Sequence, residues 1–216
     1  MRGINPATTR GFEVKMKKIV LATANTHKVI EFQRILNELL PDLELVAASQ
    51  FPGVPEIEET GSTFAENALI KARAINEFTN LPALADDSGL VVEALNGAPG
   101  IFSARYAGIN ADDKANVMKL LNEIKGLDQS LLSAKFECAI ALVDKSQDLE
   151  LVVDGQMPGQ VIKEVRGENG FGYDPIFVPQ GLTKTSSQLS DADKDKISHR
   201  GIALRKMSMI LKQLPG

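Results

Sequence analysis

The chain has 216 residues, of which 44% are hydrophobic and 24% charged, with a net charge of −4; this is the balance of a globular chain able to bury a real core. That charge speaks against binding nucleic acid or an acidic membrane through a broad electrostatic face, so any polyanionic ligand must meet a local basic cluster. No apolar run approaches the length of a bilayer span. The single Cys excludes an intrachain disulfide, and two His with one Cys leave no set for a structural zinc. A reduced, cytoplasmic setting is the expectation that follows.

Residues 1–15, MRGINPATTRGFEVK, show neither the apolar core nor the cleavage pattern of a secretory signal. They read as a flexible extension or an alternative start, with Met16 leading into the fold. KKIVLAT (17–23) is a β-branched run and the first strand. In HKVIEFQRILNELLP, Val29, Phe32, Ile35, Leu36 and Leu39 fall at helical spacing, with Pro41 as the stop. LELVAA (43–48) gives a second strand and SQFPGVPEIEETGS a Pro- and Gly-rich loop. Thr63 and Glu66 have the spacing of a capping box for a helix running to about Phe78. ALAD and LVVEAL are expected as a strand pair about Asp86–Gly89. NGAPGIFSARYAG is loop-like, and ADDKANVMKLLNEIKG is an amphipathic helix.

From Ser133 onward, AKFECAIALVD and LELVVDGQMPGQVIKEV alternate over long stretches and are joined by the short KSQD, which predicts a hairpin. Cys138 shares one face of its strand with Phe136, Ile140 and Leu142 and reads as a packed core thiol rather than a nucleophile. RGENGFGYDP is a glycine-rich loop, IFVP a short strand, and about 190–214 is helical. The pattern predicts an α/β fold: one domain over 16–216, a mixed sheet flanked by helices, with two lobes dividing near residue 130 and a ligand cleft between them.

Four stretches carry side chains suited to chemistry. TANTHK (23–28) stands where the first strand gives way to a helix, whose unpaired N–H groups suit phosphate; the same residues also make an ordinary N-cap followed by a surface lysine. ADDSG places Asp86 and Asp87 on opposite faces while a strand persists, so one is expected to shape a turn and the other to bind a hard cation or take a proton from water. EIEET adds Glu58 and Glu59. GENGFGYDP offers Phe171 and Tyr173 for stacking and Asp174 as an acceptor, or a glycine turn whose aromatics pack inward. In DADKDKISHRGIALRKM, Lys194 and Ser198 would share a face of a continuous helix, with His199 and Arg200 adding donors. Arg105 in SARY lies on a loop that can reach a phosphate.

Taken in order, TANTHK, EETGSTFAENA, ADDSGL, GAPGIFSARYAG, GFGYDPIF and ISHRG resemble the inosine triphosphate pyrophosphatase family, which includes dITP/XTP pyrophosphatases, over essentially everything from Lys17 to the end. The resemblance implies a homodimeric, Mg2+-dependent hydrolase that splits ITP, dITP or XTP into the monophosphate and pyrophosphate. It implies that Thr23, Ala24, Asn25, Thr26, His27 and Lys28 bind the polyphosphate. It makes Asp87 the base and a metal carboxylate, Glu59 the second metal carboxylate (Glu58 being the alternative), and Ser88 a substrate contact. Phe171, Gly172, Tyr173, Asp174, Lys194, His199 and Arg200 would bind the nucleotide. Ala24, Thr26 and His27 depart from the glycines common in this motif, which predicts a stiffer loop. No nucleic acid or membrane partner is implied. A pyrophosphatase for another modified nucleotide, or a nucleotide sensor without turnover, would share the phosphate-binding parts.

Overall fold

The structure is a computed structural model describing residues 16–214; the extension expected over 1–15 lies outside the described residues. Strand β1 (Lys18–Leu21) leads into α1 (Thr26–Leu39) and β2 (Glu44–Ala47); a long loop then reaches α2 (Phe64–Thr79) and β3 (Ala83–Val92). Beyond a 3-10 turn at Gly100–Arg105 come α3 (Asp113–Ile124), β4 (Ser133–Asp144), β5 (Leu149–Val161) and β6 (Phe177–Pro179). Two helices, α4 (Asp191–Ile197) and α5 (His199–Leu211), complete the described chain. The six strands form one sheet in the order β2-β1-β3-β4-β5-β6. β1 runs parallel to β2 and β3, and the remaining neighbours are antiparallel. The expected mixed sheet with its β4–β5 hairpin is therefore present.

Strand alternation sorts the core. Ile19, Leu21, Leu84, Ile140 and Leu142 pack with Phe32, Ile35 and Leu36 of α1 and with Leu204 and Met207 of α5. Their immediate neighbours Val20, Ala83, Ala85, Ala139 and Ala141 pack with Ala68, Ala72 and Ile75 of α2 on the opposite face. A third cluster joins Leu90, Val92, Phe136 and Met157 to Val117, Leu120 and Ile124 of α3. Cys138 is buried among the first group, as its alternation predicts, and burial pushes its thiol up to about 12.

Helices α1 and α2 thus leave opposite sides of β1, and β2 and β3 pair with its two edges. The C-terminal end of β1 is a switch point of the kind that opens a crevice in α/β sheets. β3 pairs with β1 only through Ala83 and Leu84, so the β1-side edge of β3 is free where Asp86–Gly89 follow.

Three local expectations are corrected. ADDSG is not a turn between paired strands: β3 runs unbroken through it, with Asp86, Asp87 and Ser88 opposite Ile140, Ala139 and Cys138. The twelve residues of β4 supply a continuous partner that local turn chemistry does not overcome. The capping box is half formed, since Thr63 Oγ1 accepts from Glu66 N while the Glu66 carboxylate reaches Ser62 instead of Thr63. The C-terminal helix is broken at Ser198, which is extended (φ −65°, ψ 149°) and caps α5 by accepting from Gly201 N, so Lys194 and Ser198 do not share a helical face.

Candidate active site

A cavity of about 440 Å3 lies off the free edge of β3. From the β1–α1 turn it is lined by Thr23, Ala24, Asn25 and Lys28; from the loop before α2 by Glu59; and from β3 by Asp87, Ser88 and Gly89. Phe171, Gly172, Tyr173 and Asp174 line the opposite wall, together with Lys194, His199 and Arg200. Stretches far apart in sequence therefore meet in one place. Thr26, His27 and Glu58 are absent from the lining. The capping reading of TANTHK holds as well, because Asn25 Oδ1 accepts from Lys28 N at 3.1 Å.

Because Asp86 and Asp87 point to opposite faces of β3, each joins its own charge cluster. On the α2 face, Asp87 Oδ2 accepts from Asn67 Nδ2 at 3.1 Å, and Lys71 Nζ stands 3.4 Å from Asp87 Oδ1. The same ammonium is 2.5 Å from Glu59 Oε1, while Arg105 Nη1 lies 2.9 Å from Glu59 Oε2. Burial, reinforced by the negative charge of Glu59, raises the Asp87 carboxyl above its ordinary value despite Lys71. Burial acts the same way on Glu59, but Lys71 and Arg105 outweigh it and hold that carboxyl low. Lys71 is desolvated as well, yet Asp87, Asp86 and Glu59 keep it raised and so charged.

On the other face Asp86 is completely enclosed. Its Oδ2 meets Lys28 Nζ at 3.0 Å and Arg200 Nη2 at 3.1 Å. Arg200 Nη1 donates to Glu31 Oε2, and Nη2 also donates to Ser88 Oγ at 3.0 Å. Lys194 Nζ lies between Glu31 Oε1 (2.9 Å) and Asp174 Oδ2 (2.6 Å). Three carboxylates and three cations thereby balance, which is how charges are tolerated at such depth. Asp86 is neither a turn residue nor part of the cavity lining; it is the counter-ion that fixes Lys28 and Arg200.

The loop at 167–174 divides its duties. Tyr173 is buried, with its hydroxyl donating to Ser103 O at 2.9 Å, so it is not the stacking face expected of it. Asp174 Oδ2 accepts from Phe171 N at 3.0 Å besides holding Lys194. Phe171 stays half-buried at the cavity, with Lys194 Nζ 5.1 Å and the Arg200 guanidinium 5.7 Å from its ring centre, within cation–π range. The imidazole of His199 stacks on Phe136 with ring centres 4.9 Å apart. Burial, aided by Arg200, keeps this imidazole well below its usual pKa and therefore neutral, and its Nδ1 has no partner among the described residues.

Close backbone approach makes this packing possible. A Cβ on Gly155 of β5 would stand 2.1 Å from the His199 carbonyl oxygen, and one on Gly89 2.3 Å from that of Gly100. Sequence reasoning missed Asn67, Lys71 and Glu31. Asn67 and Lys71 are four apart inside an alanine-rich helix, and Glu31 sits beside Phe32 on the core side of α1. Polar side chains on apolar helix faces were the available signal.

Fold and cavity define an α/β protein whose crevice combines carboxylates, cations and one available aromatic face, a set suited to a phosphorylated ligand. The sequence profile of the Ham1 family matches residues 19–210, and the chain belongs to that family. It is 48% identical over 197 residues to the dITP/XTP pyrophosphatase of Coxiella burnetii, covering 91% of this chain and 97% of that protein. To the Bacillus subtilis dITP/XTP pyrophosphatase it is 45% identical over 196 residues, covering 91% and 98%. Among solved structures, a HAM1 protein from Coxiella burnetii superposes with a TM-score of 0.82 at 46% identity over 92% of this chain and all of that one. The Staphylococcus aureus Ham1 protein gives 0.80 at 42% identity over 91% and 98%.

Proposed function

We propose that this chain is a nucleoside triphosphate pyrophosphatase that hydrolyses dITP, XTP and ITP to the monophosphate and pyrophosphate. The observation that carries the reading is the meeting, in one cavity, of the Glu59–Lys71–Asp87 cluster with the Lys194–Arg200–Phe171 wall. The names of relatives up to 48% identical support the same reaction. The two ends of the sheet act as lobes, with the nucleotide between them.

Among the described residues no three His, Cys, Asp or Glu side chains gather as a metal cage. Glu59 and Asp87 nevertheless converge on one cation, the Lys71 ammonium, so two hard carboxylates already face a common point. That donor set fits Mg2+, which takes one or two carboxylates and completes its shell with water and phosphate oxygens. When bound there, Mg2+ supplies charge neutralisation at the phosphates and the leaving pyrophosphate. Glu59 and Asp87 would hold it, rather than Glu58, which is exposed and outside the cavity lining.

Asp87 orients the attacking water and takes its proton as the bond to the α-phosphorus forms. Its raised affinity for protons, caused by burial, suits a base. Lys71 keeps the two carboxylates together and, with Lys28, faces the triphosphate. Phe171 stacks on the purine. Arg200 has five N–H donors, and its four bonds to Asp86, Glu31 and Ser88 leave one for the 6-oxo oxygen. An adenine amino group at that place presents donor to donor, a mismatch that discriminates strongly when the groups are buried.

The test is pyrophosphate release from ITP, XTP, dITP, GTP, ATP and dUTP, with and without Mg2+. Release is expected from the first three and not from ATP, and only with the metal. Equal rates for ATP and ITP refute the 6-oxo reading, and no metal-dependent release from any of them refutes the enzyme. The homodimer implied by the family resemblance is read by light scattering on the eluting protein. No helix among the described residues is long and apolar enough to cross a membrane; a cytoplasmic nucleotide pool is the working setting of this reading.

A further inference from the structure

His27 has no place in the cavity lining although Asn25 and Lys28 of the same motif do. Its ring instead lies against Phe171, with centres 5.4 Å apart and planes within 17° of parallel, inside the range of favourable aromatic pairs. A base held between these two rings would need roughly 7 Å from plane to plane, two contacts of roughly 3.5 Å each. The pair is therefore closed to a ligand, and only Phe171 of the two lines the cavity.

Phe171 needs such support. It sits between Gly170 (φ 78°) and Gly172 (φ 60°), in a loop whose glycines give the backbone unusual freedom. Its own backbone anchor is the bond from its N–H to Asp174, which fixes the loop but not the ring. His27, by contrast, is on the first turn of a fourteen-residue helix packed into the core. Resting on the reading of the cavity as a nucleotide site, we infer that His27 is a positioning residue for the base: it braces Phe171 from outside the cavity and does not bind the polyphosphate.

The two halves of the nucleotide separate the possibilities. Calorimetric titration with inosine monophosphate and, separately, with inorganic pyrophosphate, both with Mg2+, is carried out on the full chain, on His27→Ala and on His27→Phe. In His27→Ala the affinity for the monophosphate is expected to fall by roughly 2- to 12-fold, the worth of one aromatic pair. Pyrophosphate affinity should stay within error, and His27→Phe should recover the monophosphate. A parallel loss of pyrophosphate affinity, no change for either ligand, tighter monophosphate binding in His27→Ala, or failure of His27→Phe to recover it each overturns the inference. If the unaltered chain binds neither ligand, the nucleotide-site reading falls, and this inference with it.

Discussion

Replacing Glu31 by Gln removes one charge from the buried cluster while keeping the side chain's volume, so no cavity complicates the result. Glu31 is 6% exposed, and its carboxylate contacts both Lys194 and Arg200. Burial alone would raise its pKa, but Arg200 and Lys194 together hold it at about 2, against an ordinary 4.5. At 1.36 kcal/mol per pH unit that difference is worth about 3 kcal/mol, in line with the 3–5 kcal/mol typical of breaking a buried pair. For a domain of this size the expected fall in Tm is roughly 6–12 °C. The folded carboxyl lies below the unfolded one, so its contribution is complete above about pH 4.5 and is lost as pH falls towards 2. Since Gln does not titrate, the gap between the two proteins should be constant from pH 6 to 8 and less than half as wide by about pH 3. Thermal unfolding across that range measures it. A shift under 2 °C at pH 7, or a gap as wide at pH 3 as at pH 7, refutes the reasoning.

Two further outcomes follow from the geometry. Asp87→Asn should lower kcat by roughly 10²- to 10⁴-fold, the usual contribution of a positioned base, while calorimetry finds inosine monophosphate bound as before; full turnover would remove Asp87 from its role. Gly155→Ala puts a methyl group where the His199 carbonyl stands 2.1 Å away, and such overpacking costs roughly 1–3 kcal/mol. Urea unfolding should show that loss together with a raised KM as α5 is pushed off the sheet, and an unchanged midpoint would mean the helix moves freely.

How far the sequence could be read depended on whether a signal was local. The alternation of Phe136, Cys138, Ile140 and Leu142 needs only the pleat of one strand, and the hairpin around KSQD needs only the two strands beside it; both appear as expected. The helical spacing of Val29 to Leu39 likewise fixes α1 without reference to its partners. Ser198 shows the opposite case. Its helix propensity is compatible with a single long helix, yet the break there turns His199 and Arg200 onto the sheet, at a contact that the distant Gly155 alone leaves room for.

Asp86 and Asp87 join both kinds of reasoning. Alternation correctly assigns the two carboxylates different faces and so different roles, but the composition of ADDSG suggests a turn. What decides against the turn is the length of β4, and what gives the adjacent aspartates access to a common site is the shortness of β1, which leaves the edge of β3 free beyond Leu84. Off that free edge Asp87 reaches the cavity directly, and Asp86 acts on it from the opposite face through Lys28 and Arg200. Neither strand length is a property of the residues concerned. A pair of carboxylates on opposite faces can serve one site only where the strand has lost its neighbour, and lengthening β1 by two paired residues would close the crevice with every side chain of ADDSG unchanged.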